Sequence, residues 1–143
     1  MPPLGTMNLH GSLLPKYRGA APINWAIING EKETGLTTFL LKHEIDTGDL
    51  LFQERIPIDE NETAGELHDR MMEIGADLVL KSVQALENNT AAPFPQEETE
   101  VTHAAKIFTE TCEIDFGRPI AEVHNFVRGL SPHPGAWTVL DGK

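Results

Sequence analysis

A helix-start signal at Thr63, followed by a long amphipathic pattern, is the feature that most constrains this chain. Thr63 and Glu66 have the spacing of a capping box, in which the threonine side chain caps an amide and the glutamate reaches back. Behind them, apolar residues recur at spacings of three and four, which is one face of a helix: Ala64, Leu67, Met71, Ile74 and Leu78. The sequence therefore predicts one long helix that ends near Glu87.

Two β-prone runs precede that helix and are separated by a polar segment. Residues 36–42 are rich in Thr, Phe and Leu, and residues 50–58 form a second run with Pro57 close to its end. Between them, residues 43–49 (HEIDTGD) carry the glycine and acids of a tight connection. We expect the two runs to pair as an antiparallel hairpin with an elaborated turn.

The first thirty residues predict a strand, a shaped loop and a short helix. Residues 6–10 are a β-like run, and the next twelve residues are punctuated by glycine and proline. A helix is expected to begin near Pro22, because proline is tolerated in a first helical turn, and to end at Gly30.

The carboxyl-terminal part reads as a linker followed by a second unit. Residues 91–100 combine prolines with acids and are typical of a surface linker, so we place a boundary that divides the chain into residues 1–100 and 101–143. Residues 118–129 predict another helix whose aliphatic side chains face inward: Ile120, Val123 and Val127. A strand is expected to begin at Trp137.

Composition limits the class of protein and its partners. The 143 residues are 40% hydrophobic and 23% charged, which is typical of one globular domain. A formal charge of −11 repels a phosphate backbone, so we expect the chain alone to bind nucleic acid poorly. A single cysteine, Cys112, excludes an intrachain disulfide and a cysteine-based zinc site. With no run resembling a membrane span, the sequence suggests a soluble, cytoplasmic protein.

Asn8, His10 and Asp46 are the candidate catalytic residues. Asn8 and His10 alternate on a predicted strand, so their side chains point to the same face, beside a turn-rich loop. An amide and an imidazole are hydrogen-bond donors suited to stabilising a tetrahedral oxyanion. Asp46, on the predicted turn, can orient the imidazole and relay a proton if it folds back against His10. Taken singly, the same residue types also serve as caps and turn residues.

The loop after His10 is a candidate ligand-binding segment formed by Ser12, Leu13, Leu14 and Pro15. Backbone N–H and C=O groups of a non-helical loop can read the edge of a heterocycle, while leucines offer apolar surface. The alternative is that the two leucines only anchor the loop to the core. No metal site is expected, because the histidines and acids lack a metal-binding spacing.

Taken together, these strings resemble the 10-formyltetrahydrofolate-dependent formyltransferases. The match comprises residues 8–23 (NLHGSLLPKYRGAAPI) and residues 46–49 (DTGD). Residues 102–107 (THAAKI) and 128–137 (RGLSPHPGAW) are similar to those members of the family whose acceptor is initiator methionyl-tRNA. The resemblance covers essentially the whole chain.

The resemblance implies an α/β fold, with a Rossmann-like catalytic domain and a carboxyl-terminal β-barrel. Residues 1–100 would then be the second half of the catalytic domain, and residues 101–143 the linker and the truncated start of the barrel. On this interpretation the chain is a fragment that is inactive alone.

The resemblance also assigns chemistry to the candidate residues. Asn8, His10 and Asp46 would catalyse transfer of the formyl group from 10-formyltetrahydrofolate to the methionine amino group of initiator tRNA, without a metal. Residues 12–15 would contact the folate. A sugar-nucleotide amine formyltransferase, a formyltetrahydrofolate hydrolase and a non-catalytic binding module remain as alternatives, although residues 102–107 favour the tRNA enzyme.

Overall fold

A computed structural model describes residues 2–143, in which short β-strands are combined with three α-helices. The strands are β1 (Met7–His10), β2 (Arg18–Gly19), β3 (Glu33–Leu40), β4 (Leu50–Pro57) and β5 (His103–Ala104). The helices are α1 (Pro22–Ile28), α2 (Ala64–Glu87) and α3 (Ile120–Gly129). None of these three helices is long and apolar enough to cross a membrane.

The main sheet has the strand order β1-β3-β4 and is antiparallel throughout. The predicted hairpin is confirmed as β3 and β4, with a register shift between Thr38 and Phe39. β1 pairs with the other edge of β3, which sets His10 opposite Thr37. β2 and β5 form a separate parallel pair. The α/β class is confirmed, but the main sheet of residues 2–143 is antiparallel and so lacks the parallel pairing that a Rossmann-like sheet implies.

The predicted long helix is confirmed with its capping box. Thr63 Oγ1 accepts a hydrogen bond from the Glu66 amide at 3.2 Å, and Glu66 Oε2 accepts one from the Thr63 amide at 3.4 Å. Three side chains of its apolar face are buried against the sheet: Leu67, Met71 and Leu78. Burial of each stabilises the fold by about 1.5–3 kcal/mol. The helix therefore fixes the hairpin that carries Asp46.

The prediction that the aliphatic residues of α3 face inward is wrong for two of the three. Ile120 is 88% exposed and Val127 is 40% exposed, whereas Val123 is half-buried. Helix α3 instead approaches α1 through Gly129, where a Cβ atom would lie 2.7 Å from Cγ1 of Ile28. The periodicity identified residues that share a face, but among residues 2–143 that face is covered only in part, at Val123.

Two predictions for irregular segments also need correction. Trp137–Leu140 is not a strand. The main chain of Trp137 bonds to Cys112 and Ile114, which makes one isolated bridge opposite Glu113, and the pairing does not continue along residues 138–140. Residues 91–100 are not simply a surface linker, since the Phe94 main chain pairs with Leu50 and Gln96 is buried. The boundary between residues 1–100 and 101–143 stays a prediction.

Candidate active site

His10, the last residue of β1, is buried and held from two sides. Its Nε2 atom lies 2.8 Å from the carbonyl oxygen of Tyr17. A carbonyl oxygen only accepts, so Nε2 carries the proton of this hydrogen bond. The other ring nitrogen, Nδ1, faces Oδ2 of Asp46 at 3.6 Å, with the two side chains 7% and 10% exposed. The ring orientation therefore leaves Nδ1 as the nitrogen directed at the carboxylate.

Asp46 lies in the connection between β3 and β4, where the sequence placed it on a turn, and its side chain folds back onto β1 and β2. Its backbone has a φ of 56°, in the left-handed region, and its Oδ2 atom accepts a hydrogen bond from the Gly19 amide at 2.9 Å. The 3.6 Å approach to His10 is longer than a hydrogen bond. Catalytic contacts are often long in a free enzyme and shorten when substrate binds.

Gly48 allows the turn to return so closely to the sheet. A Cβ atom at this position would overlap the carbonyl oxygen of Leu40. The neighbouring acid, Asp49, pairs with Lys42 at 2.8 Å, and its carbonyl oxygen accepts a hydrogen bond from the Leu40 amide. Asp49 is thus a structural acid of the hairpin, in contrast to Asp46.

Asn8 lies on β1 two residues before His10, on the same face of the strand, and is exposed. Its Oδ1 atom accepts a hydrogen bond from the Leu9 amide at 2.9 Å. Within residues 2–143 its Nδ2 group has no protein partner, so this donor is available to a ligand. The structure does not join Asn8 to His10 or Asp46 through a hydrogen bond.

The loop Ser12–Pro15 is pinned to the sheet by Thr37. The Thr37 hydroxyl donates to the Ser12 carbonyl oxygen at 2.7 Å and accepts from the Leu14 amide at 3.1 Å. Gln53 donates to the Leu14 carbonyl oxygen at 2.8 Å. The Ser12 hydroxyl is also used internally, on the Lys16 carbonyl oxygen. The loop is therefore shaped by the protein before any ligand arrives.

The side chains of this loop differ in what they can offer to a ligand. Leu14 is buried with Phe39 and Leu50, which supports the anchoring interpretation for this leucine. Leu13 is only half-buried and keeps apolar surface available. Folate contact by residues 12–15 stays a prediction.

Tyr17 connects several parts of the site, although sequence pattern alone does not identify it as a site residue. Its backbone has a φ of 58°, and its hydroxyl donates to Glu31 at 2.7 Å. Burial and the Glu31 contact raise the pKa of Tyr17 to about 12, against the lowering effect of a hydrogen bond from Asn29. The Tyr17 amide donates to Thr102 Oγ1 at 2.8 Å.

Residues 96–104 form a second support for the site that sequence patterns did not reveal. The carbonyl oxygen of Thr102 accepts a hydrogen bond from the Arg18 amide at 2.9 Å. The side chain of Gln96 donates to two carbonyl oxygens of the turn that carries Asp46. The string THAAKI indicated a family resemblance for this region, but not that it lies beside the candidate loop. That position depends on contacts between residues distant in the sequence, such as Tyr17 and Thr102. In residues 2–143 no group of three or more His, Cys, Asp or Glu side chains is arranged to hold a metal ion.

Two family models match this chain. The model described as "Formyl transferase" covers residues 1–83, and "Formyl transferase, C-terminal domain" covers residues 106–143. The first match contains all the candidate catalytic residues and the candidate loop.

Among curated relatives, the methionyl-tRNA formyltransferase of Phocaeicola vulgatus is 56% identical over 145 residues, covering 98% of this chain and 45% of that protein. The chain thus spans about 45% of the length of this relative. Among solved structures, an N-formyltransferase from Helicobacter canadensis, in complex with folinic acid and dTDP-3-aminofucose, superimposes with a TM-score of 0.85. It is 30% identical, and the alignment covers 95% of this chain and 51% of that one.

A sugar 3N-formyl transferase solved in the presence of dTDP and 5-N-formyl-THF is similar as well, with a TM-score of 0.80 and 31% identity over 86% of this chain and 45% of that one. The family match extends over more than half of the chain and includes the His10–Asp46 pair and its adjoining loop. By this match and by its fold, the chain belongs to the formyl transferase family.

Proposed function

We propose that this chain takes part in transferring the formyl group of 10-formyltetrahydrofolate to the amino group of methionine on initiator tRNA. The observation that carries the proposal is the buried His10 ring, held between the Tyr17 carbonyl oxygen and the Asp46 carboxylate beside the Ser12–Pro15 loop. The 56% identity to a methionyl-tRNA formyltransferase supports the choice of acceptor. This function implies a cytoplasmic location.

The proposed reaction begins when the acceptor amine attacks the formyl carbon. A new C–N bond forms, and the electron pair of the formyl C=O bond moves onto its oxygen. In this proposal Nδ2 of Asn8 donates to the oxyanion. The doubly protonated ring of His10, which keeps its Nε2–H on the Tyr17 carbonyl oxygen, supplies a second N–H at Nδ1. Preorganised donors of this kind are worth on the order of 10²–10³ in rate each.

Proton transfer completes the reaction. The attacking nitrogen loses a proton as the intermediate collapses, and the bond from the formyl carbon to N10 of the folate breaks. N10 takes up a proton and tetrahydrofolate leaves. The proton that the amine loses is the one that N10 receives, and Asp46, whose carboxylate faces Nδ1 of His10 at 3.6 Å, assists this exchange by stabilising the protonated ring.

The donor is proposed to lie against the loop of residues 12–15. Thr37 and Gln53 fix the loop main chain from behind, and Leu13 supplies apolar surface to a heterocycle. The structures of relatives with folinic acid or 5-N-formyl-THF support a folate donor.

The test is formyl transfer in a chimera in which this chain replaces the matching 45% of the Phocaeicola vulgatus relative. His10→Ala and Asp46→Asn are each expected to lower kcat by about 10²-fold or more. Asp49→Asn is the matched control, because it changes a neighbouring acid of the same turn that lies on Lys42. A folded chimera that lacks transfer activity, or that is fully active with both substitutions, overturns the proposal.

A sugar-nucleotide amine is the second candidate acceptor, favoured by the two solved sugar N-formyltransferases. The same chimera is therefore offered dTDP-3-aminofucose in place of methionyl-tRNA. Transfer to methionyl-tRNA alone supports the proposal. A preference for the sugar nucleotide would overturn the proposed acceptor but not the roles proposed for His10 and Asp46.

A further inference from the structure

We propose that Gln96 is a positioning residue for Asp46 and holds the main chain of the turn from which this acid projects. The inference rests on the proposed function of Asp46. Gln96 falls outside both family matches, between residues 1–83 and residues 106–143.

The Gln96 side chain is 8% exposed and uses both ends of its amide. Its Nε2 group donates to the carbonyl oxygens of Asp46 and Gly48, at 2.7 and 2.9 Å. Its Oε1 atom accepts from Nη2 and Nε of Arg18, at 2.8 and 3.1 Å. The amide therefore bridges the turn to β2.

Hydrogen-bond chemistry makes this bridge specific for an amide. Arginine has only donors and main-chain carbonyls are only acceptors, so the group between them must accept on one side and donate on the other. A carboxylate at this position would still accept from Arg18, but it would face two carbonyl oxygens without a proton to donate. Glutamate has the size of glutamine, but it replaces the donor with an acceptor and adds a negative charge.

Asp46 is held by two hydrogen bonds, one made by β2 directly and one made by Gln96, which is bound to β2. Its carboxylate accepts from the Gly19 amide, and its carbonyl oxygen accepts from Gln96, which is itself oriented by Arg18. Arg18 is fixed further by Glu98 at 3.0 Å. Within residues 2–143 Gln96 makes no hydrogen bond to His10 or to residues 12–15, so its effect on catalysis must pass through the Asp46 turn.

A purely structural role and a positioning role predict different results. A buried amide that only satisfies carbonyl oxygens affects stability when it is replaced. A residue that aims Asp46 affects kcat and leaves the KM for the folate donor unchanged, since the donor loop is held by Thr37 and Gln53 instead.

The first experiment uses the chain itself and follows hydrogen exchange of the Gly19 amide, which reports directly on Asp46 Oδ2. Gln96→Glu is expected to speed this exchange on the order of tenfold, because the turn is released and the amide loses its acceptor. Gln84→Glu is the matched control, as Gln84 is an exposed glutamine on α2. Unchanged Gly19 protection in Gln96→Glu overturns the inference.

The second experiment measures kinetics in the chimera described above. Gln96→Glu is expected to lower kcat by about 10²-fold, the size of effect that follows from misplacing a reacting group by 1 Å. Combining it with Asp46→Asn should cause no additional loss, because both changes act on one group. Gln96→Met, which removes the hydrogen bonds without adding charge, replaces Gln96→Glu if that variant fails to fold.

The two proposals fail in distinguishable ways. If Asp46→Asn is inactive while Gln96→Glu and Gln96→Met keep kcat within a few-fold of wild type, Gln96 does not position Asp46. If Asp46→Asn is itself active, the proposed function fails. The Gly19 exchange result then still decides whether Gln96 holds the turn.

Discussion

The carbonyl oxygen of Tyr17 accepts a hydrogen bond from Nε2 of His10 at 2.8 Å, while the hydroxyl of Tyr17 donates to Glu31 at 2.7 Å. The left-handed backbone at Tyr17 lets one residue make both contacts. Tyr17 thereby ties the candidate catalytic histidine to the connection between α1 and β3. It is also the single tyrosine of the chain, so its ionisation can be observed separately.

We expect Tyr17 to titrate at a pH of about 12, above its ordinary pKa of 10.0, because burial and Glu31 disfavour the phenolate. The measurement is near-ultraviolet absorbance during alkaline titration. The raised pKa means that the stabilising effect of the neutral side chain is complete below 10.0 and is lost as the pH rises towards 12. Glu31→Gln should lower the midpoint, and a wild-type midpoint at the ordinary value would contradict the burial.

Thr37→Val is expected to weaken donor binding as well as stability. The fully buried hydroxyl pins the Ser12 carbonyl oxygen and the Leu14 amide, so its loss should cost about 1–3 kcal/mol of unfolding free energy and raise the donor KM. Thr38→Val is the control, because Thr38 is equally buried but its hydroxyl bonds to Ser82 of α2 and not to the Ser12–Pro15 loop. Denaturant unfolding measures the loss of stability in each variant, and the KM for the donor measures the effect on the loop. An equal KM in both variants would contradict the role given to Thr37.

Gly48→Ala should disable the Asp46 turn. The added Cβ atom would overlap the Leu40 carbonyl oxygen, so the main chain must move and carry Asp46 with it. We expect destabilisation of more than about 2 kcal/mol together with loss of transfer activity. Gly117→Ala serves for comparison, since a Cβ there meets only the movable carboxylate of Asp115. Thermal unfolding and transfer assays test the pair, and an active Gly48→Ala variant would be inconsistent with the geometry.

Acid should weaken the start of α2 through Glu62. Burial alone raises the pKa of Glu62, but hydrogen bonds from Arg70 and from the Asp59 amide outweigh it and lower the pKa below its ordinary 4.5. The contribution of this carboxylate is therefore present above pH 4.5 and lost as the pH falls below it.

Glu62→Gln is accordingly expected to cost about 1.5–3 kcal/mol at neutral pH. The difference from wild type should shrink in acid, where the wild-type carboxylate is protonated too. Urea unfolding at both pH values measures the effect, with the exposed Glu73→Gln as control. A penalty that does not change with pH would show that charge is not its cause.

The elements that could be predicted are those whose signals are local. The capping box at Thr63 and the apolar periodicity behind it are complete within the segment that forms α2. The hairpin likewise follows from two β-prone runs and a turn rich in glycine and acids. Helix α3 shows the limit, because periodicity does not tell which neighbour, if any, covers Ile120.

The candidate site was predictable only in part. Residue chemistry indicates the grouping of His10 with Asp46 as one interpretation, and the family resemblance favours it over a role as caps or turn residues. The structure brings these two side chains together. Sequence patterns do not identify Tyr17, Gln96 and Thr102, because their hydrogen bonds join main-chain groups to residues far apart in the sequence. Such bonds depend on the folded path of the chain and not on residue type alone.

The parallel pairing of β2 with β5 has a consequence for the order of folding. Tyr17 and Thr102, whose hydrogen bond adjoins this pairing, are 85 positions apart. Contacts of such long sequence separation close late, because the entropy of the intervening loop is lost before they form. We therefore expect the hairpin and α2 to fold first. A chain emerging from the ribosome cannot assemble the surroundings of His10 until residue 104 has left the exit tunnel.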